Sequence, residues 1–449
     1  MSASPTAPAP SVTSRRATFA AFTGAFLEWY DFWIYGTAAA LVFPQVFFSN
    51  ASPTVALLQS FGTFAVAFLT RPLGAIIFGH FGDRIGRRPV LLITVFLIGG
   101  GTFLMGLLPS YAVAGGLGAT LLIALRLVQG IGIGGEYGGG SLLALENAPR
   151  GGRGLAGSFH QLGTPAALLA STGIFAVVTM LPDEALFTWG WRIPFLLSGP
   201  FLLLGFYIRK HLPETAAFTE DSTAQKRAPL FALLVEQPKV VLIGIGARMA
   251  DAVTFNIINV FAVSWVTSTL GMDSGLILTG FVISAAVQLF VLPAAGRVSD
   301  RFGRRPVYLT GIVICAIGGG LLYFPVISLG NALSTWAIII LVHAFGTGLM
   351  FSIQSALFAE LFGTRVRYTG LGIVYQGSAL IGGGPTPAIA VGLTALAGSW
   401  WPAGAYLILA CGISALCIWW AGETYRTDLA DRDGEPSTTA GGAREVEAR

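Results

Sequence analysis

The sequence predicts an all-α integral membrane protein: twelve transmembrane helices in two pseudo-symmetric six-helix bundles. Three observations predict it. Of 449 residues, 54% are hydrophobic and 11% charged, with a mean hydropathy of +0.72, whereas a soluble domain carries roughly 25% charge. Apolar runs close to the ~20 residues needed to cross hydrocarbon recur along the whole chain. A charge-dense loop, GHFGDRIGRRP at 79–89, returns as GRVSDRFGRRP at 296–306, so Asp83 and Asp300 stand 217 positions apart (300 − 83), about half the length.

Taken in order, residues 1–16 are small, Pro-rich and polar and read as a disordered tail with no removable leader. Twelve apolar segments follow at about 17–43, 54–79, 89–109, 118–146, 155–181, 189–210, 237–268, 274–296, 306–329, 335–362, 367–397 and 401–422. Each must be helical, because lipid offers no partner to open backbone groups. The polar stretch 211–236 separates six spans from six and reads as a linker between bundles at 17–210 and 237–422. Residues 423–449 are charged and read as a second disordered tail.

Basic residues set the orientation. The odd-numbered connections contain no Lys or Arg, and 22 of the 26 lie in or beside the tails and even-numbered connections. Both termini, the linker and the duplicated loops are therefore expected on the cytoplasmic side. The net charge of +4 is explained by this topology and gives no reason to expect a nucleic-acid partner. Glycine, 59 residues, suits close approach of membrane helices. Cys315, Cys411 and Cys417 have neither disulfide-framework nor metal-ligand spacing, and neither metal nor cofactor is expected.

The duplicated loop is the first candidate for function. Gly79, Gly82 and Gly86 permit a tight turn, and Asp83 lies where it can accept backbone hydrogen bonds. Arg84, Arg87 and Arg88 can pair with carboxylates such as Glu146. Asp300, Arg301, Arg304, Arg305 and Glu360 repeat the set, with Glu146 followed by Arg153 and Glu360 followed by Arg367. Such pairs can latch the cytoplasmic ends of the halves together; alternatively the arginines only enforce topology.

Buried ions are the second candidate, because a charge centred in lipid is costly. Glu28 and Asp31 share a face of the first span. Arg126, Gln129 and Glu136 fall within about 80° of one another on the fourth, at 100° per residue. Arg248 and Asp251 share a stripe on the seventh, and His343 and Gln354 on the tenth. Each stripe is expected to face the space between halves, and repeats around a midplane site are the usual build of secondary transporters. Arg71 and Arg192, near helix ends, are expected to snorkel or pair structurally. The run Gly130–Gly140 lies inside a span, so it suits helix contact or unwinding and not a nucleotide site.

At this point the chain resembles the major facilitator superfamily, through the duplicated loop and its G-x-x-x-D-R-x-G-R-R pattern; Ser299 stands where the first copy has Gly82. LEWYDFWIYG (27–36), RPLGAIIFGHFGDR (71–84), RLVQGIGIGGEYGG (126–139) and WGWRIPF (189–195) are similar to its metabolite:proton symporter branch, over about residues 17–422. The resemblance implies proton-driven import of a small organic acid or zwitterion across a prokaryotic inner membrane by a monomer. Within it, Arg126, with Arg248 as the second candidate, is expected to meet a substrate carboxylate, with Asp31 or Glu136 taking the proton. The rival on the same fold is a proton-coupled exporter; a non-transporting membrane sensor is the remote one. No catalytic constellation suggests an enzyme.

Overall fold

The computed structural model describes residues 12–149, 151–211 and 229–426. Eleven helices there are long and apolar enough to cross a membrane. A twelfth, Val12–Leu41, interrupts its apolar run with Glu28 and Asp31. We number the twelve α1 Val12–Leu41, α2 Pro53–Ile85, α3 Arg87–Met105, α4 Leu117–Glu146, α5 Arg153–Val178 and α6 Asp183–Lys210 in the first half. The second half holds α7 Pro238–Ser268, α8 Ser274–Phe302, α9 Arg304–Ser328, α10 Ala332–Ala359, α11 Arg367–Ala397 and α12 Trp401–Ala421. Among the described residues there is no strand.

Boundaries differ from the sequence-based ones where polar residues continue a helix. α1 starts at Val12 and absorbs Arg15 and Arg16, and α6 starts at Asp183. The expected linker ends in a short helix, Pro229–Glu236. Its positions 212–228, like 1–11 and 427–449 of the two tails, lie outside the described residues.

The duplication extends to the backbone. Gly86 closes α2 at φ 101°, ψ 162° and Gly303 closes α8 at φ 103°, ψ 161°, a region only glycine enters at little cost. Ser299, the departure from the first copy, is buried and accepts a hydrogen bond from Arg304 at 2.9 Å.

The glycines of α4 serve contact: the helix is unbroken across Gly130–Gly140. A Cβ on Gly134 would stand 2.0 Å from the Arg71 carbonyl oxygen, and one on Gly130 2.3 Å from that of Ala67. α2 and α4 therefore pack backbone to backbone. In the second half, π-helical turns widen α7 at Ile257–Phe261, α10 at Ile340–Thr347 and α11 at Ala379–Gly383. Such turns frequently mark functional sites, and all three contribute to the cavity described next.

Candidate transport site

A cavity of about 420 Å³ lies between the halves. Trp29, Phe32, Trp33, Phe64 and Phe68 wall it from the first half, and Phe255 and Phe351 from the second. Its ionisable lining is Glu28, Arg71, Arg248, Asp251, His343 and Tyr375, with Asn256, Gln288, Thr347 and Gln376 adding neutral polar atoms. A size and a mostly apolar wall of this kind suit a small ligand held by few polar contacts.

The two arginines differ. Arg248 is held on all sides: Asp251 at 3.5 Å, Gln354 at 3.2 Å, Ser378 at 2.9 Å and the Tyr375 carbonyl at 3.2 Å, with its guanidinium 3.8 Å above the Tyr375 ring. Arg71 lies 4.0 Å over the Phe68 ring, and its Nε is buried without a hydrogen-bond partner. Glu28 is 7% exposed and is the charge that acts most strongly on Arg71, as Arg71 is on Glu28. His343 faces the cavity with Nδ1 3.0 Å from the Ser284 hydroxyl.

Four expected site residues stand elsewhere. Arg126 donates to Asp31 at 2.7 Å and to Gln129 at 2.9 Å; Gln129 and Thr102 donate to the same carboxylate at 3.0 and 2.8 Å. All three of Asp31, Arg126 and Gln129 are 0% exposed, and the guanidinium is sandwiched 3.9 Å over Tyr35. Glu136 is bound by Arg209 at 2.5 Å and by Thr94 at 2.7 Å. None of the four lines the cavity. The physical reason is angular. Residues three apart on a helix differ by about 60°, enough to turn Glu28 toward the cavity and Asp31 into the first bundle. Sequence reasoning also missed Arg71, taken for a snorkelling residue, and Arg209, counted as a topology signal. The usable hint for Arg209 is Gly24: a Cβ there would collide with its guanidinium. Arg192, by contrast, is structural, donating to the carbonyls of Gly106 and Leu108 at 2.8 and 2.7 Å.

Beyond the cavity the seam between halves is closed on the side of the duplicated loops. Tyr137 of α4 stacks on Tyr375 of α11 with ring centroids 3.6 Å apart. Tyr368 donates to the Gly135 carbonyl at 2.7 Å, and Ser141 meets Ser355 at 3.1 Å. At the end of the seam each loop aspartate sits on the first turn of a helix from the opposite half. Asp83 accepts from the Tyr368 and Thr369 amides at 3.2 and 3.0 Å and from the Thr369 hydroxyl at 2.7 Å. Asp300 accepts from the Gly154 and Leu155 amides at 2.7 and 2.9 Å. Helix N-termini attract carboxylates in this way. Gly79 is pressed against Thr369 at the same crossing, where a Cβ would approach Thr369 Oγ1 to 2.9 Å.

The arginine–carboxylate pairs are exchanged between halves. Glu146 is met by Arg87 at 3.0 Å and by Arg367 of the other half at 3.6 Å. Glu360 is met by Arg304 at 3.2 Å and by Arg153 of the other half at 4.0 Å. Burial raises the Glu360 carboxyl above its ordinary range while Arg304 pulls it back, so its charge depends on that partner. Of the remaining loop arginines, Arg84 and Arg301 are exposed, Arg88 donates to the Lys210 carbonyl, and Arg305 lies 3.9 Å over Trp419.

This geometry, two sixfold helical halves around a central cavity, is shared with solved transporters. A proton:xylose symporter, XylE, bound to 6-bromo-6-deoxy-D-glucose superimposes with a TM-score of 0.76 over 94% of this chain and 98% of that one, at 20% identity. Residues 16–229 match the family described as sugar (and other) transporter, and residues 244–445 that described as Major Facilitator Superfamily. The shikimate transporter of Escherichia coli is 39% identical over 412 residues, 90% of this chain and 93% of that protein. The chain belongs to the major facilitator superfamily. Another Escherichia coli relative, inner membrane metabolite transport protein YhjE, is 36% identical over 430 residues, covering 94% of this chain and 97% of its own. As a superfamily member the protein is a multi-span membrane transporter of small metabolites and not an enzyme.

Proposed function

We propose that the protein imports a small organic acid, shikimate-like in size and charge, together with protons, working as a monomer by alternating access in a bacterial inner membrane with both termini cytoplasmic. The observation that carries this reading is the pair Arg71 and Glu28. Both face the central cavity, and neither is fixed by a hydrogen bond or close ion pair among the described residues. A buried guanidinium with free donors is an anchor for a carboxylate, which it can grip with two parallel bonds. A buried carboxyl beside it is a site for the co-transported proton. When Glu28 is charged it competes with the cargo for Arg71; when it is protonated it releases Arg71. The anchor role expected of Arg126 thus passes to Arg71, and the proton role expected of Asp31 or Glu136 passes to Glu28. His343, Asn256 and Gln376 offer polar atoms to cargo hydroxyls, and Arg248 with Asp251 forms the opposite wall. The relative that transports shikimate supports the cargo class.

In this cycle the inter-half contacts of Asp83 and Asp300 hold the cytoplasmic side shut until cargo and proton are bound. The test is uptake of labelled shikimate by proteoliposomes with and without an inside-alkaline gradient. Gradient-driven accumulation that vanishes in Arg71→Gln is expected. Flux indifferent to the gradient would make the protein a facilitator, and accumulation confined to inside-out vesicles would reverse its direction.

A further inference from the structure

The charges around Glu28 can be counted. Arg71 of α2 acts on it most strongly, followed by Glu136 of α4, Asp31 of its own helix and Arg248 of α7; Tyr375 of α11 also faces it. Asp31 is neutralised by Arg126, Glu136 by Arg209 and Asp251 by Arg248. His160 of α5 and His343 of α10 are hydrogen-bonded through one ring nitrogen each, to the Ala21 carbonyl and to Ser284, and imidazoles count as neutral at pH 7 by their ordinary pKa of about 6.5. Among the described residues, every buried ion near the cavity therefore has a fixed partner of opposite sign except Glu28 and Arg71, which face each other across the cavity.

That balance constrains what can cross. Empty, with Glu28 charged, the site is neutral. A proton on Glu28 alone leaves Arg71 uncompensated, and a carboxylate cargo alone leaves one surplus negative charge. Either is an unpaired ion in a low-dielectric cavity, which costs several kcal/mol. A proton and one carboxylate together restore neutrality. We infer that transport is electroneutral, one proton moving with one monocarboxylate, and that the cavity rejects dianions. The coupling needs no further device: the two neutral states are the ones the closed cavity tolerates, so the carrier reorients empty or doubly loaded. A dianion brings one charge too many for Arg71 and Glu28 together.

This rests on the proton-coupled reading above, and the experiment separates the two. The full chain is reconstituted, and shikimate accumulation is measured at a fixed pH gradient with the membrane potential clamped by potassium and valinomycin. An inside-negative potential of about 100 mV alters accumulation about fifty-fold for each net charge moved. Equal accumulation at zero and at the imposed potential is the expected result. Accumulation that rises with the potential, from a surplus proton, or falls with it, from an unaccompanied anion, overturns the inference and leaves proton coupling standing. Uptake that ignores the pH gradient removes both. As a second readout, an excess of succinate is expected to leave shikimate uptake unchanged, and strong competition by it overturns the selectivity.

Discussion

Glu28 and Asp31 lie one turn apart on the same helix and meet opposite fates. Asp31 accepts three hydrogen bonds, from Arg126, Gln129 and Thr102, is 0% exposed and does not line the central cavity. Glu28 faces the central cavity, and its nearest counter-charge, Arg71, has unused donors. A buried pair in direct contact rigidifies, and removing one member is costly because the other is stranded. A pair without direct contact is poor scaffolding but can exchange partners, which a carrier requires. The comparison teaches that an ion inside a membrane bundle is not by that fact a working ion: Arg126 also keeps its Nε and one terminal nitrogen buried without a hydrogen-bond partner, so what separates the two sites is the close counter-ion of one and the cavity in front of the other.

The largest expected effect is on the close Arg126–Asp31 pair. Arg126→Ala strands Asp31 and should destabilise the fold by about 3–5 kcal/mol, seen as a lower thermal midpoint in detergent. Asp31→Asn combined with Arg126→Met should recover most of that loss in a double-mutant cycle. If instead Arg126→Ala keeps its midpoint and loses only cargo binding, the assignment of the two sites is reversed. Glu28→Gln should leave the midpoint unchanged, abolish pH-driven accumulation, and preserve exchange of labelled for unlabelled cargo. Loss of exchange as well would make Glu28 part of the anchor and not the proton site.

Smaller effects are expected at the seam. Asp83→Asn weakens charge-assisted hydrogen bonds worth about 1.5–3 kcal/mol and should shift the carrier toward its cytoplasm-open form, read as faster alkylation of a cysteine placed at Ser141. Asp300→Asn should do the same less strongly, because Asp300 accepts two bonds from the opposite half where Asp83 accepts three. The smallest is Tyr137→Phe, which keeps the stack on Tyr375 and removes a long 3.4 Å contact from Gln161 and the hydroxyl's bond with Ser355. Its uptake should match the parent protein within about fivefold, since a net hydrogen bond contributes about 1 kcal/mol.

The fold was legible because its signals are local and repeated: span length, the alternation of basic connections, and one loop present twice. The seam was legible in its parts and not in its pairing. Spacing places Glu146 near Arg153 and Glu360 near Arg367, whereas in space Arg367 reaches Glu146 and Arg153 reaches Glu360, an exchange that only the packing of one half on the other decides. The cavity was the least legible. Helical periodicity puts Arg126, Gln129 and Glu136 on one face but does not say that this face turns toward α1, α3 and α6. Arg71, near the end of an apolar run in the sequence, stands midway along α2 because that helix continues to Ile85, past the charged loop residues that seemed to end it.

One consequence follows from the way Asp83 and Asp300 are seated, each on the opposing half's helix start. Two hooks fastened in opposite senses along one hinge line cannot be undone by sliding: freeing either tilts the bodies so that the other must part as well. The inner mouth should then snap between shut and agape with few halfway postures, much as a double clasp does, and leakage through a half-open throat would be rare even when cargo is scarce.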